Sequence, residues 1–106
     1  MPKYLVSVTY SAEGARGVMK EGGSARKALV TQIIEKSGGS VEAFYYAFGE
    51  DDVHVILDAP SNVDVAALTM AVAASGAGSI RTTVLLTAEE VDEATKKSLG
   101  YRAPGE

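Results

Sequence analysis

Val41-Glu42-Ala43-Phe44-Tyr45-Tyr46-Ala47-Phe48, then Gly49-Glu50-Asp51-Asp52, then Val53-His54-Val55-Ile56-Leu57-Asp58 is the stretch that decides the fold. Two runs dense in β-branched and aromatic residues, joined by a short acidic turn, read as a β-hairpin. With Glu50 and Asp51 as the two turn residues, Phe48 pairs with Val53, Ala47 with His54, Tyr46 with Val55 and Tyr45 with Ile56. Side chains alternate between the two faces of a strand, so Phe44, Tyr46, Phe48, Val53, Val55 and Leu57 fall on one side. Ala43, Tyr45, Ala47, His54, Ile56 and Asp58 fall on the other. The first set is far more apolar and is the expected core face.

The hairpin is flanked on both sides by a strand and a helix. Lys3 to Tyr10 (KYLVSVTY) reads as a first strand, and a short helical turn is expected over Ala15 to Lys20. Ser24 is the expected N-cap of a helix running to about Lys36, with Ala25, Ala28, Leu29 and Ile33 at helical spacing and Gly38-Gly39 as its stop. After the hairpin, Pro60 ends the strand and Ser61 caps a second helix, with Asp64 at its third position. That helix is built on small residues (Ala66, Ala67, Ala71, Ala73, Ala74) and stops at Gly76 to Gly78. Ile80 to Leu86 reads as a fourth strand with Ile80 and Val84 inward. Thr87 and Glu90 open an additional C-terminal helix, whose acidic first turn suits the positive end of the helix dipole. Residues 1–98 form the expected domain and 99–106 a tail.

The order β-α-β-β-α-β is that of a ferredoxin-like α+β fold, a four-stranded antiparallel sheet with its helices on one face. The other face is left bare. At about 4.8 Å between strands and 3.3 Å per residue it measures on the order of 20 by 20 Å, or roughly 800 Å² accessible, close to one partner's share of a standard interface. Leu5, Ser7, Thr9, Tyr45, His54, Ile56, Arg81, Thr83 and Leu85 are expected there. This mixture suits a dimer interface that encloses a pocket.

Composition narrows the partners. The 106 residues hold no cysteine, which excludes disulfides and thiolate metal sites. Ten basic against fourteen acidic residues give a net charge of −4 and a pI near 5.0, which argues against nucleic acid and against an anionic membrane surface. The N-terminus carries no apolar stretch of signal-peptide length, and a cytoplasmic protein is expected.

Several stretches resemble the GYD-domain family of small bacterial proteins of mostly uncharacterised function. They are Met1-Pro2-Lys3-Tyr4, the hairpin from Ala43 to Val53, and Arg81-Thr82-Thr83-Val84-Leu85-Leu86-Thr87. Gly22-Gly23-Ser24-Ala25-Arg26 and Gly100-Tyr101-Arg102-Ala103-Pro104-Gly105 resemble a bacterial subgroup. The family's eponymous Gly, Tyr and Asp would fall at Gly49, position 51 and Asp52, and Asp51 stands in place of the tyrosine. The resemblance implies a dimeric α+β barrel, in which two sheets face each other. Relatives of that architecture include cofactor-free monooxygenases, haem enzymes, isomerases and amino-acid-sensing regulators, so the fold narrows chemistry little.

The candidate site residues are His54, Tyr45, Arg81, Ser7 and Thr83. His54, the only histidine, reads either as a general base in an inter-subunit pocket or as a hydrogen-bonded interface residue. Tyr45 lies near it, and with Arg81 the pair could bind and polarise a phenol or a carboxylate, or could pack and form ion pairs. Haem needs a large apolar slot of which this tryptophan-free chain shows no sign, and neither a cofactor nor a metal is expected. Gly22-Gly23-Ser24-Ala25-Arg26 reads as a turn, with an anion site as the alternative. Tyr101 and Arg102 of the tail are placed to reach over the pocket or clasp a partner. The leading expectation is a homo-oligomer binding a small organic molecule between paired sheets. The alternatives are a cofactor-independent oxygenase or isomerase using His54 and Tyr45, and a structural or regulatory assembly without ligand.

Overall fold

Strands and helices follow one another in the computed structural model, which describes residues 1–106, as β1 (Lys3–Tyr10), α1 (Ala12–Glu21), α2 (Gly23–Lys36), β2 (Ser40–Tyr46), β3 (Val53–Asp58), α3 (Asn62–Ala74), β4 (Gly78–Leu85) and α4 (Ala88–Thr95). The strands form one sheet in the order β2-β3-β1-β4, and every neighbouring pair is antiparallel. This is the expected ferredoxin-like α+β arrangement, with α4 added at the end. Tyr4, Val6, Phe44, Val53, Val55 and Leu57 from the sheet meet Ile34 of α2 and Val65 of α3 in the core. Tyr4 is fully buried, and its hydroxyl donates to Asn62 Oδ1 at 2.5 Å, so burial leaves no orphaned phenol.

The hairpin register differs from expectation by two residues. Tyr46 pairs with Val53, Tyr45 with His54, Phe44 with Val55 and Ala43 with Ile56. A two-residue shift preserves the faces, so Phe44, Val53, Val55 and Leu57 enter the core as expected, whereas Tyr46 stays on that face but is 40% exposed, and Phe48 leaves the strand and lies fully exposed. The tight turn gives way because its acids bind β1. Asp52 N–H donates to the Val8 carbonyl at 2.8 Å, and Asp52 Oδ2 accepts from Tyr10 N–H at 2.8 Å. Residues 47–52 are thereby stretched into a longer loop along β1.

A bulge at Glu42 is a second departure. Val41 opposes Leu57 and Ala43 opposes Ile56, so Glu42 is the extra residue of edge strand β2. Plain alternation would put Val41 beside Tyr45; the bulge turns it to the core. Glu42 reaches Lys3 Nζ at 3.0 Å, and Asp58 meets the same nitrogen at 3.1 Å.

The helices start earlier than the glycine spacing suggests. α1 begins at Ala12 because Ser11 Oγ accepts from Gly14 N–H at 3.0 Å. A Cβ on Gly14 would lie 1.9 Å from the Ala77 carbonyl oxygen, so only glycine lets α1 lie this close to the start of β4. Gly22, at φ 91°, turns the chain from α1 directly into α2, and Ser24 sits inside the helix instead of capping it. Thr87 and Glu90 form the expected capping box of α4. Val84, expected inward, shares a face with Tyr4 but is exposed, because the helix layer does not extend over that end of edge strand β4. Every residue from Leu86 to Glu106 is exposed, so the tail does not fold back over its own subunit.

Candidate functional site

The register places four of the five candidate residues in a single row. Tyr45 opposes His54, His54 opposes Ser7, and Ser7 opposes Arg81, crossing β2, β3, β1 and β4 on the face away from the helices. One step along the strands, Ala43, Ile56, Leu5 and Thr83 form a second, mostly apolar row. Lys3 and Asp58 lie one step further, beside Leu85. The open face is therefore an apolar band with polar rows on either side.

Within the polar row only Ser7 and His54 engage each other. Ser7 Oγ lies 3.0 Å from His54 Nδ1, and Ser7 is buried beneath its neighbours. His54 Nε2 has no partner in the chain. Tyr45 is directly across from His54 instead of diagonal to it, and is 71% exposed. Arg81 is three strands away from Tyr45, about 14 Å at ordinary strand spacing, so one subunit does not bring tyrosine, histidine and arginine to a point. Thr83 sits in the apolar row against Leu5.

Arg81 has an acid of its own chain. Its Nη2 donates to Asp51 Oδ2 in a short contact, and Thr9 Oγ1 donates to Asp51 Oδ1 at 3.0 Å. Asp51 is buried to 8% exposure, so its charge is held by these partners in place of water. The hairpin loop thus ends the polar row with a carboxylate. A tight turn would have left Asp51 in solvent, so only the longer loop reveals its position. At the other end, the carboxylates of Glu42 and then Asp58 hold the Lys3 ammonium above its ordinary pKa. No group of three or more His, Asp or Glu side chains is close enough to hold a metal. No helix is long and apolar enough to cross a membrane.

A cavity lies on the opposite side of the sheet, where residue spacing gave no signal of one. It has a volume of about 310 Å³ under α1, α2 and α3. Val6, Val8, Phe44, Val30, Leu68 and Val72 form much of its wall, and Tyr10 and Arg26 also line it. Burial, with the Tyr46 phenol next, pushes the Tyr10 hydroxyl above its usual pKa; burial does the same to Tyr46, whose hydroxyl donates to the Gly23 carbonyl at 3.0 Å.

In the comparison with protein families, the model of the GYD domain matches residues 4–95. That span takes in the sheet apart from Lys3 and all four helices. No curated protein and no solved structure matches the chain.

Proposed function

The chain belongs to the GYD-domain family, and from that premise we propose that it works as a homodimer, paired through its open sheet face, that holds a small organic molecule at the seam. The observation that carries this reading is the apolar band of Ala43, Ile56, Leu5 and Thr83 running beside the row Tyr45-His54-Ser7-Arg81. The area, roughly 800 Å², matches what one partner contributes to a standard interface. The band supplies desolvation, and the adjoining row supplies hydrogen-bonding groups. His54 Nε2 and the Tyr45 hydroxyl are unengaged and able to meet a ligand. In a paired assembly Arg81 of one copy and Tyr45 of the other are free to approach, which the single subunit prevents. Leu86 to Glu106, exposed throughout, supplies an arm that extends to the second copy.

Native mass spectrometry tests this reading. The expected species is twice the 11.0 kDa chain mass, carrying a small-molecule adduct that is lost in His54→Ala or Tyr45→Ala. A dimer with no adduct would identify a sealed assembly and refute ligand binding. A monomer would refute the pairing itself.

A further inference from the structure

We propose that the cavity between the helix layer and the sheet is a second binding site, one that takes a small apolar monocarboxylate with its carboxylate at Arg26. The site is independent of sheet pairing, because it lies on the other side of the sheet.

The cavity follows from how the helices sit. α2 packs on β2 and α3 packs on β4, at opposite edges of the sheet, so the middle strands β1 and β3 lie under a gap. Beside it, small residues of α3 leave a second groove between α2 and α3, lined by Ala67 and Ala71 in place of longer side chains. That groove, of about 400 Å³, adjoins the inner cavity and shares Ile34, Leu57, Leu68, Val72, Ser75 and Arg26 with it. Its walls are chiefly aliphatic, which suits an apolar ligand body.

The polar end is set by Arg26. This residue is half-buried, lines both the cavity and the adjoining groove, and makes neither an ion pair nor a side-chain hydrogen bond. A guanidinium in partial contact with an apolar cavity and lacking a partner is a group that a carboxylate satisfies, by paired charge-assisted hydrogen bonds. Tyr10 lines the same cavity, and the Tyr46 ring stands against the first turn of α2, which carries Arg26. Glu13 and Glu21 also line it, yet both are exposed, so water and salt weaken their field more than that of Arg26. Size follows from volume: at roughly 30 Å³ per non-hydrogen atom, taken from the packing of liquid water, 310 Å³ admits a ligand of about ten such atoms. Octanoate has that size.

Isothermal titration of the wild-type chain with sodium octanoate, 1-octanol and octylamine, all below micellar concentrations, tests the assignment. Octanoate is expected to bind once per chain with a dissociation constant below about 100 µM, and the other two at least about tenfold more weakly. Arg26→Met should bring octanoate to the level of octanol and leave octanol unchanged. Val72→Phe, which adds bulk to the shared wall, should weaken octanoate and octanol together; Val30→Phe serves the same purpose should the first variant lose its circular dichroism spectrum. Absence of octanoate binding, equal binding of octanoate and octanol, or an unchanged Arg26→Met would overturn the proposal. Octylamine as the tightest ligand would overturn it too, by assigning the charge preference to Glu13 and Glu21. Undiminished binding in a folded cavity-filled variant would place the ligand elsewhere and refute the site.

Discussion

Replacing Asp51 with alanine tests how the hairpin loop is anchored. The carboxylate accepts from Thr9 Oγ1 at 3.0 Å and from Arg81 Nη2. A hydrogen bond to a charged group contributes about 1.5–3 kcal/mol. Thr9 keeps a second acceptor, the Glu50 carbonyl oxygen at 3.4 Å, so its loss falls at the lower end of that range. The ion pair adds less than its geometry suggests. The Arg81 side chain is 69% exposed against 10% for Asp51, so solvent screens the pair and rehydrates the freed guanidinium, and no more than about 1 kcal/mol is assigned to it. The total for Asp51→Ala is about 1.5–2.5 kcal/mol, corresponding to a Tm lower by roughly 10 °C for a domain of this size. Urea unfolding measures the first quantity and calorimetry the second. Asp51→Asn, which keeps a neutral acceptor for Thr9, should lose about half as much. Amide exchange of residues 47–52 should accelerate in both variants. A loss below about 0.5 kcal/mol in Asp51→Ala, with the loop amides unchanged, would refute the anchoring.

Other consequences concern the core and the phenols of Tyr10 and Tyr46. Val55→Asp places a charge among Val6, Phe44 and Leu57 and should unfold the subunit outright, at a cost above about 4 kcal/mol; a cooperative folded variant would show that the two sheet faces are inverted. Because Tyr10 and Tyr46 are raised above 10.0 in the folded chain, their neutral forms support folding fully below the unfolded value and lose that support as pH rises through the folded values. Urea stability should therefore be flat up to about pH 9.5 and fall above it, less steeply in the double variant Tyr10→Phe/Tyr46→Phe. An absorbance titration in which all five tyrosines ionise together near 10 would contradict this. Thr87→Ala removes one half of the capping box and should cost α4 about 1 kcal/mol, read as reduced helical circular dichroism with the sheet intact.

The fold was legible because the hairpin pattern survives an error in its register. Tyr46 opposes Val53 instead of Val55, but the slip is of two residues, and alternation returns Ala43 to Tyr46 and the residues of β3 to their expected faces. What alternation cannot show is why the slip occurs. That depends on Asp51 and Asp52 finding Thr9, Arg81 and Tyr10 some forty and thirty residues away, a choice made by tertiary contacts and absent from local spacing. The same holds for Val41, whose face is set by the bulge at Glu42. The candidate row across β2, β3, β1 and β4 was legible for the same reason as the core, being its complement. The inner cavity was not. It opens because α2 and α3 pack at opposite edges of the sheet, a tertiary arrangement that local spacing does not carry, and Ala67 and Ala71 line the groove beside it.

Pairing through the open face is the central claim, and sedimentation equilibrium of the wild type beside Leu5→Glu tests it most directly. Leu5 lies between Ile56 and Thr83 in the apolar row, away from the core, so a glutamate there leaves the subunit folded and puts an unpaired charge at the seam. The wild type should sediment at twice the 11.0 kDa chain mass and the variant at the single mass. A monomeric wild type, or a variant that remains fully dimeric, would contradict the account.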